Sequence, residues 1–246
     1  MRPFLRSISV VVSALSNSRH YIRRLVYAVR GHDLWQGVQL SCKRLHLGND
    51  GANWCVCPDG LDCSSIVYSF GVGEDLSFDL ELIHRFQFQL HAFDPTPKSI
   101  EWVRRQNLPK GFVFHEYGIA SFDGSSRFLP PQNPAHVSHT MLERDTAWPA
   151  IDLPVRRLTT IMESLGHERI DLLKMDIEGA EYGVLSNLLS SDIRVGQLLV
   201  EFHHRWPEVG IEKTKKAVQE LNRAGYRIFN VSSTGEEYSF RNVGVE

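Results

Sequence analysis

Between residues 65 and 225, short apolar runs alternate with segments of helical periodicity, and this alternation constrains the fold more than any other feature. Strands that alternate with helices build a parallel sheet that is covered on both faces. We therefore predict an α/β fold. The predicted strands are 65–70, 88–94, 111–120, 170–176 and 196–204, and the predicted helices are 75–86, 98–107, 155–166, 180–190 and 212–225.

Two further β-rich runs, 226–233 and 238–245, close the sequence, and the short segment "TGEE" separates them. This pattern predicts a β-hairpin. A nicotinamide-binding Rossmann domain would normally continue with β-α units at this point. The hairpin therefore argues against a nucleotide-dependent oxidoreductase, which we keep as an alternative.

The composition limits the class of protein. With 246 residues, of which 42% are hydrophobic, the chain suits one globular domain preceded by an N-terminal segment. The net charge of −2 gives no indication of a nucleic-acid partner. We predict a basic leader or amphipathic helix over residues 1–31, a cysteine-bearing extension over 32–64 and the main domain over 65–246.

The first 31 residues contain arginines but no acidic residue. Ile22, Leu25, Val26 and Val29 fall on one helical face. One interpretation is a basic helix over residues 18–30 that makes peripheral contact with a membrane. The other interpretations are a helix docked on the main domain and a cleaved targeting leader. The compartment stays open between the secretory route, mitochondria and the cytosol.

Four cysteines lie close together in the extension. The C-V-C spacing within them differs from the C-x₂-C spacing that is usual for zinc. An oxidising compartment would allow two disulfides, whereas a reducing one would leave small buried thiols. The residues are Cys42, Cys55, Cys57 and Cys63.

A glycine turn follows the first predicted strand. Gly71 permits a sharp turn, and Gly73 lets a ligand approach the backbone. Asp94 ends the second strand, where a carboxylate can accept hydrogen bonds from ribose hydroxyls. Leu76 stands where a dinucleotide fingerprint needs a small residue, and two acids precede it, which would repel a pyrophosphate. These features favour an adenosyl cofactor without phosphates, such as S-adenosylmethionine, whose sulfonium is cationic.

Carboxylates and a histidine follow the fourth and fifth strands. In an open α/β sheet, ligands bind outside the carboxyl ends of the strands. Asp176 ends the fourth strand, and Glu201 and His203 alternate along the tip of the fifth. If these two strands are neighbours, we predict that the three side chains lie together. Glu178 and Glu181 flank the start of the next helix, where negative charge is favourable.

Four segments resemble motifs of the FkbM family of S-adenosylmethionine-dependent methyltransferases and occur in the family's order. The cysteine-bearing segment upstream is more similar to eukaryotic methyltransferase-like relatives. The resemblance implies a Rossmann-like class I methyltransferase sheet of seven strands, the last antiparallel, with helices on both faces. The segments are "VYSFGVGEDLSFD" (67–79), "LHAFDPTP" (90–97), "LLKMDIEGAEYGVL" (172–185) and "LLVEFHH" (198–204).

The resemblance also implies a site for S-adenosylmethionine. Ser69, Gly71 and Gly73 would line its methionyl and ribose region, and Asp94 would bind the ribose hydroxyls. The residues expected near the adenine, after the third strand, are Glu116, Tyr117 and Gly118.

The chain departs from the family pattern at two positions. Ser69 stands where the family usually has an acid, and Asp75 stands where it usually has a glycine. The missing acid would help to hold the methionyl end of the cofactor, so Glu74 or Asp75 would have to replace it. This departure keeps open a second hypothesis, a methyltransferase fold that binds a partner without catalysis.

Family members mostly methylate hydroxyl oxygens, which implies an O-methyltransferase acting on a small-molecule or glycan-like acceptor. Asp176 or His203 would accept the hydroxyl proton. We include no metal in the predicted site, and a metal-assisted version would place Mg²⁺ on Asp176, Glu178 and Glu201. The residues predicted to contact the acceptor are Glu178, Glu201, His204 and His139.

Residues 130–154 are rich in proline and histidine and show no clear period. A connection of this length inside a compact domain is often a lid or a substrate loop, and the alternative is a surface insertion without a role. His136 and His139 are the bases that such a loop would bring to the site.

Overall fold

The structure is a computed structural model, and it describes residues 22–131, 139–142 and 149–244. Its helices are α1 (22–29), α2 (Ser77–Phe86), α3 (Pro97–Arg104), α4 (Leu158–Leu165), α5 (Glu181–Leu189) and α6 (Ile211–Arg223). Its strands are β1 (Leu45–Leu47), β2 (Trp54–Val56), β3 (Val67–Phe70), β4 (Leu90–Phe93), β5 (Phe112–His115), β6 (Gly118–Ile119), β7 (Gly124–Phe128), β8 (Ile151–Arg156), β9 (Arg169–Met175), β10 (Arg194–Glu201), β11 (Tyr226–Val231) and β12 (Glu237–Asn242).

Seven strands form the central sheet in the order β11-β12-β10-β9-β3-β4-β5. The five strands from β10 to β5 run parallel, whereas β12 is antiparallel to both of its neighbours. The predicted α/β fold with seven strands and an antiparallel last strand is confirmed. The closing hairpin is confirmed as well, and it folds back so that β12 lies between β10 and β11.

Both faces of the sheet are buried, because consecutive side chains of a strand point to opposite faces. Leu172 and Leu173 of β9 are fully buried in two different apolar clusters. Val184 of α5 and Val218 of α6 pack in the cluster with Leu173, and Leu82 of α2 packs in the other. Each fully buried leucine contributes about 1.5–3 kcal/mol to folding. The prediction of helices on both faces is confirmed.

The predicted third strand, 111–120, is wrong in one respect, because it divides into two strands. β5 is the edge strand of the central sheet, and β6 belongs to a separate sheet with the order β6-β8-β7. The chain leaves the central sheet after β5 and passes close to Pro95, where a Cβ on Gly118 would lie 3.1 Å from Pro95 Cγ. The sequence pattern did not show this break because both halves are rich in β-forming residues.

The irregular segment predicted over 130–154 is wrong at its end, where β8 begins at Ile151. Leu153 and Val155 are buried, and the residues between and beside them are exposed. This period of two is the pattern of a strand with one buried face. Pro154 obscured the pattern in the sequence, since proline is uncommon inside strands.

The cysteine-bearing extension packs on the sheet through the β1–β2 hairpin. Trp54 and Val56 are buried in the same cluster as α2. The backbone N–H of Cys57 donates to Gln197 Oε1 over 3.0 Å, and Gln197 Nε2 donates to the Cys57 carbonyl over 2.8 Å. All four cysteines are free thiols. The boundaries predicted for the leader, the extension and the main domain stay predictions.

The described part of α1 docks through a basic residue and leaves its apolar side chains outside. Arg24 is buried and donates to the carbonyls of Leu34 over 3.2 Å and Ser232 over 3.4 Å. Ile22 and Val29 are 64% and 82% exposed. Among the described residues, no helix is long and apolar enough to cross a membrane. The peripheral membrane contact predicted for residues 18–30 stays a prediction.

The ends of β3 and β9 meet at Gly71. This residue has φ +82°, and a Cβ at this position would lie 1.8 Å from the carbonyl oxygen of Asp176. The Gly71 carbonyl accepts a 2.6 Å hydrogen bond from Lys174 Nζ, and the Gly71 N–H donates to the Phe93 carbonyl over 3.1 Å. Only glycine fits both the left-handed conformation and the close approach.

Gly71→Ala is predicted to destabilise the chain more than Gly166→Ala. Both glycines have positive φ, +82° and +71°, so alanine costs about 1–2 kcal/mol of backbone strain at either position. A Cβ on Gly166 meets no atom within 4 Å, whereas one on Gly71 overlaps a backbone carbonyl, which adds about 1–3 kcal/mol. Urea unfolding followed by circular dichroism measures both losses. Equal losses would contradict the close approach of β3 and β9.

Three histidines and a tyrosine form a cluster beside β4. Tyr68 Oη lies 2.7 Å from His167 Nδ1, and His91 Nδ1 lies 2.9 Å from His115 Nε2. Burial, with smaller contributions from the two neighbouring histidines, lowers the pKa of His91 to about 4. Burial also lowers the pKa of His115, with a contribution from Arg156, and the pKa of His167. The folded state therefore favours neutral imidazoles in this cluster.

The histidine cluster is predicted to make the fold less stable as the pH falls from about 6.5 towards 4. In this interval the unfolded chain binds a proton at His91 that the folded chain does not, so protonation favours unfolding; above about 6.5 neither state binds it. Wild type should therefore lose more stability between pH 7.5 and 5.0 than His91→Gln does. Thermal unfolding at both pH values measures this difference, and an equal loss in the variant would contradict it.

Candidate active site

A cavity of about 420 Å³ opens at the carboxyl ends of β3, β4 and β9. Open α/β sheets bind their ligands at this edge, and small-molecule sites typically measure about 300–1,000 Å³. The glycine turn after β3, Asp94 and Asp176 all line the cavity. Gly51 and Trp54 from the β1–β2 hairpin also line it, so the extension forms part of the wall.

Asp94 fixes the glycine turn. Its Oδ2 accepts hydrogen bonds from the backbone N–H groups of Val72 over 3.1 Å and Gly73 over 3.0 Å. Its Oδ1 accepts hydrogen bonds from the Thr96 N–H over 2.9 Å and the Thr96 hydroxyl over 2.6 Å. A carboxylate offers about four acceptor positions, so protein donors use the capacity of this one. The predicted contact between Asp94 and ribose hydroxyls stays a prediction.

Asp79 is a site residue that the sequence reasoning missed. It lines the cavity from the first turn of α2, it is 3% exposed, and its Oδ1 has no hydrogen-bond partner. Burial raises the pKa of Asp79 to about 6, although the positive charge of Lys174 opposes the shift. The available signal was its spacing, since Asp79 is three and four residues before Leu82 and Ile83 and therefore lies on their buried face.

Lys174 is a second missed residue. It is 6% exposed and lines the cavity, with its Nζ 3.9 Å from Asp176 Oδ2 and 5.3 Å from the centre of the Trp54 ring. Its hydrogen bond to Gly71 joins the site to the glycine turn. A lysine inside an apolar parallel strand was the signal, because such strands are normally apolar throughout.

The turn between β9 and α5 is held in an uncommon conformation. Glu178 has φ +55°, which costs a residue other than glycine on the order of 1–3 kcal/mol. The Glu181 carboxylate accepts the backbone N–H groups of Ile177 over 3.0 Å and Gly179 over 3.2 Å, and the Thr140 hydroxyl donates to the Glu178 carbonyl. Glu181 begins α5 as expected, and it also fixes the turn that carries the acidic motif.

His203 lies among four carboxylates. Its Nε2 is 3.5 Å from Glu178 Oε2, 4.0 Å from Asp176 Oδ1 and 4.0 Å from Glu201 Oε1. Its Nδ1 is 3.1 Å from Glu181 Oε1, although the angle there is poor for a hydrogen bond. The predicted meeting of Asp176, Glu201 and His203 therefore occurs. The strand itself ends at Glu201, so His203 reaches the cluster from the loop that follows β10.

Burial and charge oppose each other in this cluster. Burial alone would lower the pKa of His203, but the carboxylates of Glu181, Glu178 and Glu201 outweigh burial and raise it. Burial, followed by the charge of Asp176, raises the pKa of Glu201. The cluster therefore contains more negative charge than its own basic groups balance.

The other predicted residues divide between the cavity and the surrounding structure. Gly118 and His139 line the cavity. Ser69 is buried beside Asp79, and its hydroxyl opposes the rise in the pKa of the Asp79 carboxyl. The Ser69 hydroxyl makes no hydrogen bond of normal geometry. His136 lies outside the described residues.

Five predicted residues do not line the cavity: Ser69 and His203, described above, and Glu116, Tyr117 and His204. Glu116 accepts hydrogen bonds from Arg104. The Tyr117 ring lies under the Arg156 guanidinium at 4.3 Å, and His204 Nε2 is 3.0 Å from the buried carboxylate of Asp33. In the described structure these side chains support the walls and the N-terminal segment.

The wall of the cavity is strongly acidic. Lys174 is the one lysine or arginine among its described residues. Such a wall attracts a cationic ligand and repels one that carries phosphates. The carboxylates that line it are Glu74, Asp75, Asp79, Asp94, Asp176, Glu178, Glu201 and Glu237.

Comparison with known proteins finds relatives of this chain. "Probable methyltransferase-like protein 24" from Homo sapiens is 29% identical over 78% of this chain and 54% of its own length, and its counterpart from Rattus norvegicus is 28% identical over the same shares. The chain thus spans about half the length of the curated relatives it matches. The crystal structure of methyltransferase FkbM from Methylobacillus flagellatus KT is 13% identical, covers 74% of this chain and 44% of that chain, and has a TM-score of 0.46.

A family model described as "Methyltransferase FkbM domain" matches residues 65–228. The match contains all four motifs that carried the resemblance, from the glycine turn to the strand that ends in Glu201. The predicted relationship to this family and to eukaryotic methyltransferase-like proteins is confirmed. The chain belongs to the FkbM family of methyltransferases.

Proposed function

We propose that this chain transfers a methyl group from S-adenosylmethionine to a hydroxyl oxygen of a small-molecule or glycan-like acceptor. The observation that carries the proposal is the single cavity that joins the glycine turn after β3 to Asp176 after β9. One cavity can hold a donor and an acceptor side by side, and such positioning supplies a large part of the rate in transfer reactions.

The residues of the cavity fit an adenosyl donor with a positive charge. The glycine turn offers close approach to the backbone, and Gly118 lines the cavity after β5. The acidic wall favours a cationic donor over a nicotinamide dinucleotide, which carries a pyrophosphate. S-adenosylmethionine supplies an electrophilic methyl group on a sulfonium when it is bound.

Asp79 and Lys174 form a pair suited to the methionyl end of the donor. Asp79 has an unpartnered buried oxygen that can accept from an ammonium group, and Lys174 can donate to a carboxylate. Asp79 thereby takes the place of the acid that the family has where this chain has Ser69. Glu74 and Asp75 interact with other protein groups instead. Glu74 lies 3.6 Å from Lys98 Nζ, and Asp75 accepts a hydrogen bond from the Ser77 N–H over 2.7 Å.

Asp176 is the proposed proton acceptor. Its side chain lines the cavity and is 30% exposed, whereas His203 is buried behind the cavity wall. As the acceptor oxygen gains its methyl group, it gives up its proton, and the Asp176 carboxylate takes that proton. The neighbouring residues Lys174 and His203 hold Asp176 in position from either side.

One observation favours the second hypothesis, a methyltransferase fold that binds a partner without catalysis. The four hydrogen bonds on Asp94 come from the protein, so its carboxylate is already satisfied without a ribose. A well-folded full chain that binds neither S-adenosylmethionine nor S-adenosylhomocysteine in a calorimetric titration would favour this alternative over methyl transfer.

Asp79→Asn is predicted to weaken binding of S-adenosylhomocysteine at least tenfold. The amide loses the negative charge that faces the donor's ammonium, in a buried setting where that charge is weakly screened. Calorimetric titration of wild type and variant measures the change. Glu101→Gln makes the same chemical change on an exposed residue of α3 and should leave affinity unaltered. Unchanged binding in Asp79→Asn would remove Asp79 from the donor site.

Asp176→Asn is predicted to abolish methyl transfer and to keep S-adenosylhomocysteine affinity within about threefold. The amide retains the shape of the side chain but is a far weaker base and metal ligand. Transfer of a radioactive methyl group to candidate hydroxyl acceptors measures the first effect, and calorimetry measures the second. Wild-type rates in the variant would remove Asp176 from the chemistry.

A further inference from the structure

The side chains at the acceptor end of the cavity have the spacing of a metal site. Asp176, Glu178 and His203 each offer one ligand atom, and these atoms all lie within 4.8 Å of one another. Two ligands about 2.1 Å from one ion lie about 3.0–3.4 Å apart in octahedral or tetrahedral geometry. The 3.5 Å and 4.0 Å distances from His203 Nε2 to the two carboxylates are close to this range and longer than a charge-assisted hydrogen bond.

His203 is oriented as a metal-ligating histidine would be. Its side chain is 7% exposed, and its Nε2 faces the carboxylates of Glu178 at 3.5 Å and of Asp176 and Glu201 at 4.0 Å. Its Nδ1 lies 3.1 Å from the fully buried Glu181 carboxylate. A carboxylate behind the second ring nitrogen is a common arrangement around metal-binding histidines.

Carboxylates outnumber basic groups around His203, and this excess favours a bound divalent cation. Four carboxylates lie within 4.0 Å of its ring nitrogens, and three of them have side chains less than 30% exposed. The neighbouring basic groups are the imidazole itself and Lys174, which is 3.9 Å from Asp176. Carboxylates this close together repel one another, and a bound cation offsets that repulsion.

We propose that Asp176, Glu178 and His203 bind a divalent metal ion, and that this ion binds the hydroxyl of the acceptor. An imidazole beside two carboxylates suits Mn²⁺ or Zn²⁺ better than Mg²⁺ or Ca²⁺, which prefer oxygen ligands alone. Asp176 and Glu178 both line the cavity, so the ion can enter from the same side as the acceptor.

The inference rests on the proposed methyl transfer and changes the role of Asp176 within it. With the ion bound, Asp176 is a ligand, and the ion lowers the pKa of the hydroxyl that it coordinates. As the oxygen–methyl bond forms and the donor's sulfur–methyl bond breaks, the hydroxyl proton passes to solvent. No oxidation or reduction takes place in this step.

The test measures metal binding by the full chain without any acceptor. Chelator-treated protein is titrated with Mn²⁺ alone, and loss of the free-ion electron paramagnetic resonance signal gives affinity and stoichiometry. Zn²⁺ is then added as a competitor. We expect one ion per chain and at least tenfold weaker binding in Asp176→Asn and His203→Gln. Glu178→Gln should weaken Mn²⁺ binding at least threefold.

A matched control makes the same carboxylate-to-amide change far from the cluster, at the exposed residue Glu168, which should leave metal affinity unchanged. Thermal unfolding of each variant shows whether it is folded. No binding to wild type at millimolar Mn²⁺ or Zn²⁺, or equal binding in folded Asp176→Asn and Glu178→Gln, would overturn the site.

A separate calorimetric titration with S-adenosylhomocysteine distinguishes the metal site from the proposed function. Wild type that binds S-adenosylhomocysteine but no metal would overturn the metal site alone. Wild type that binds the metal but no S-adenosylhomocysteine would keep the metal site and overturn the proposed transfer.

Discussion

The contact between Gly71 and the carbonyl of Asp176 sets the distance between the two halves of the cavity. Gly71 follows β3 and Asp176 follows β9, and a side chain at the first position would push the second away. Asp94 and Lys174 hold the same turn from the neighbouring strands, by hydrogen bonds to its N–H groups and its carbonyl. The proposed donor side and the proposed acceptor side of the cavity are therefore joined by these contacts at one edge of the sheet.

The three acidic residues after β9, Asp176, Glu178 and Glu181, have different structural roles. Asp176 faces the cavity, while Glu178 lies in a left-handed conformation that turns its carboxylate towards His203. Glu181 is fully buried, fixes the turn through two backbone N–H groups and lies behind the ring of His203. The strain at Glu178 is offset by these hydrogen bonds, as is common where a backbone conformation serves a site.

The sequence was sufficient to predict most of the sheet, because apolar runs of strand length and helical spacing are local signals. It also predicted that Asp176, Glu201 and His203 would meet, since parallel neighbouring strands end at the same edge. The break after β5 and the strand β8 were missed, because both depend on where the chain leaves the sheet and on a proline within a strand. Asp79 and Lys174 were missed for a different reason: their importance comes from burial against residues distant in sequence.

The N-terminal extension shows the same limit of local reasoning. Its cysteines could be interpreted as zinc ligands or disulfides from the sequence, but they are free thiols. The part of the extension that reaches the cavity is the hairpin that carries Trp54. Asp33 is buried against His204 and Arg205, so the loop that bears His203 is tied to the extension as well. These contacts join residues more than a hundred positions apart, and no spacing rule predicts them.

A crystal structure of the full chain grown with saturating S-adenosylhomocysteine would show whether the cavity at the ends of β3 and β9 binds the methyl donor. We expect the adenosyl group beside the glycine turn, the ammonium beside Asp79, and the sulfur facing Asp176. An empty cavity at saturation, or a ligand bound away from the ends of β3 and β9, would contradict the assignment of this cavity as the methyl-transfer site.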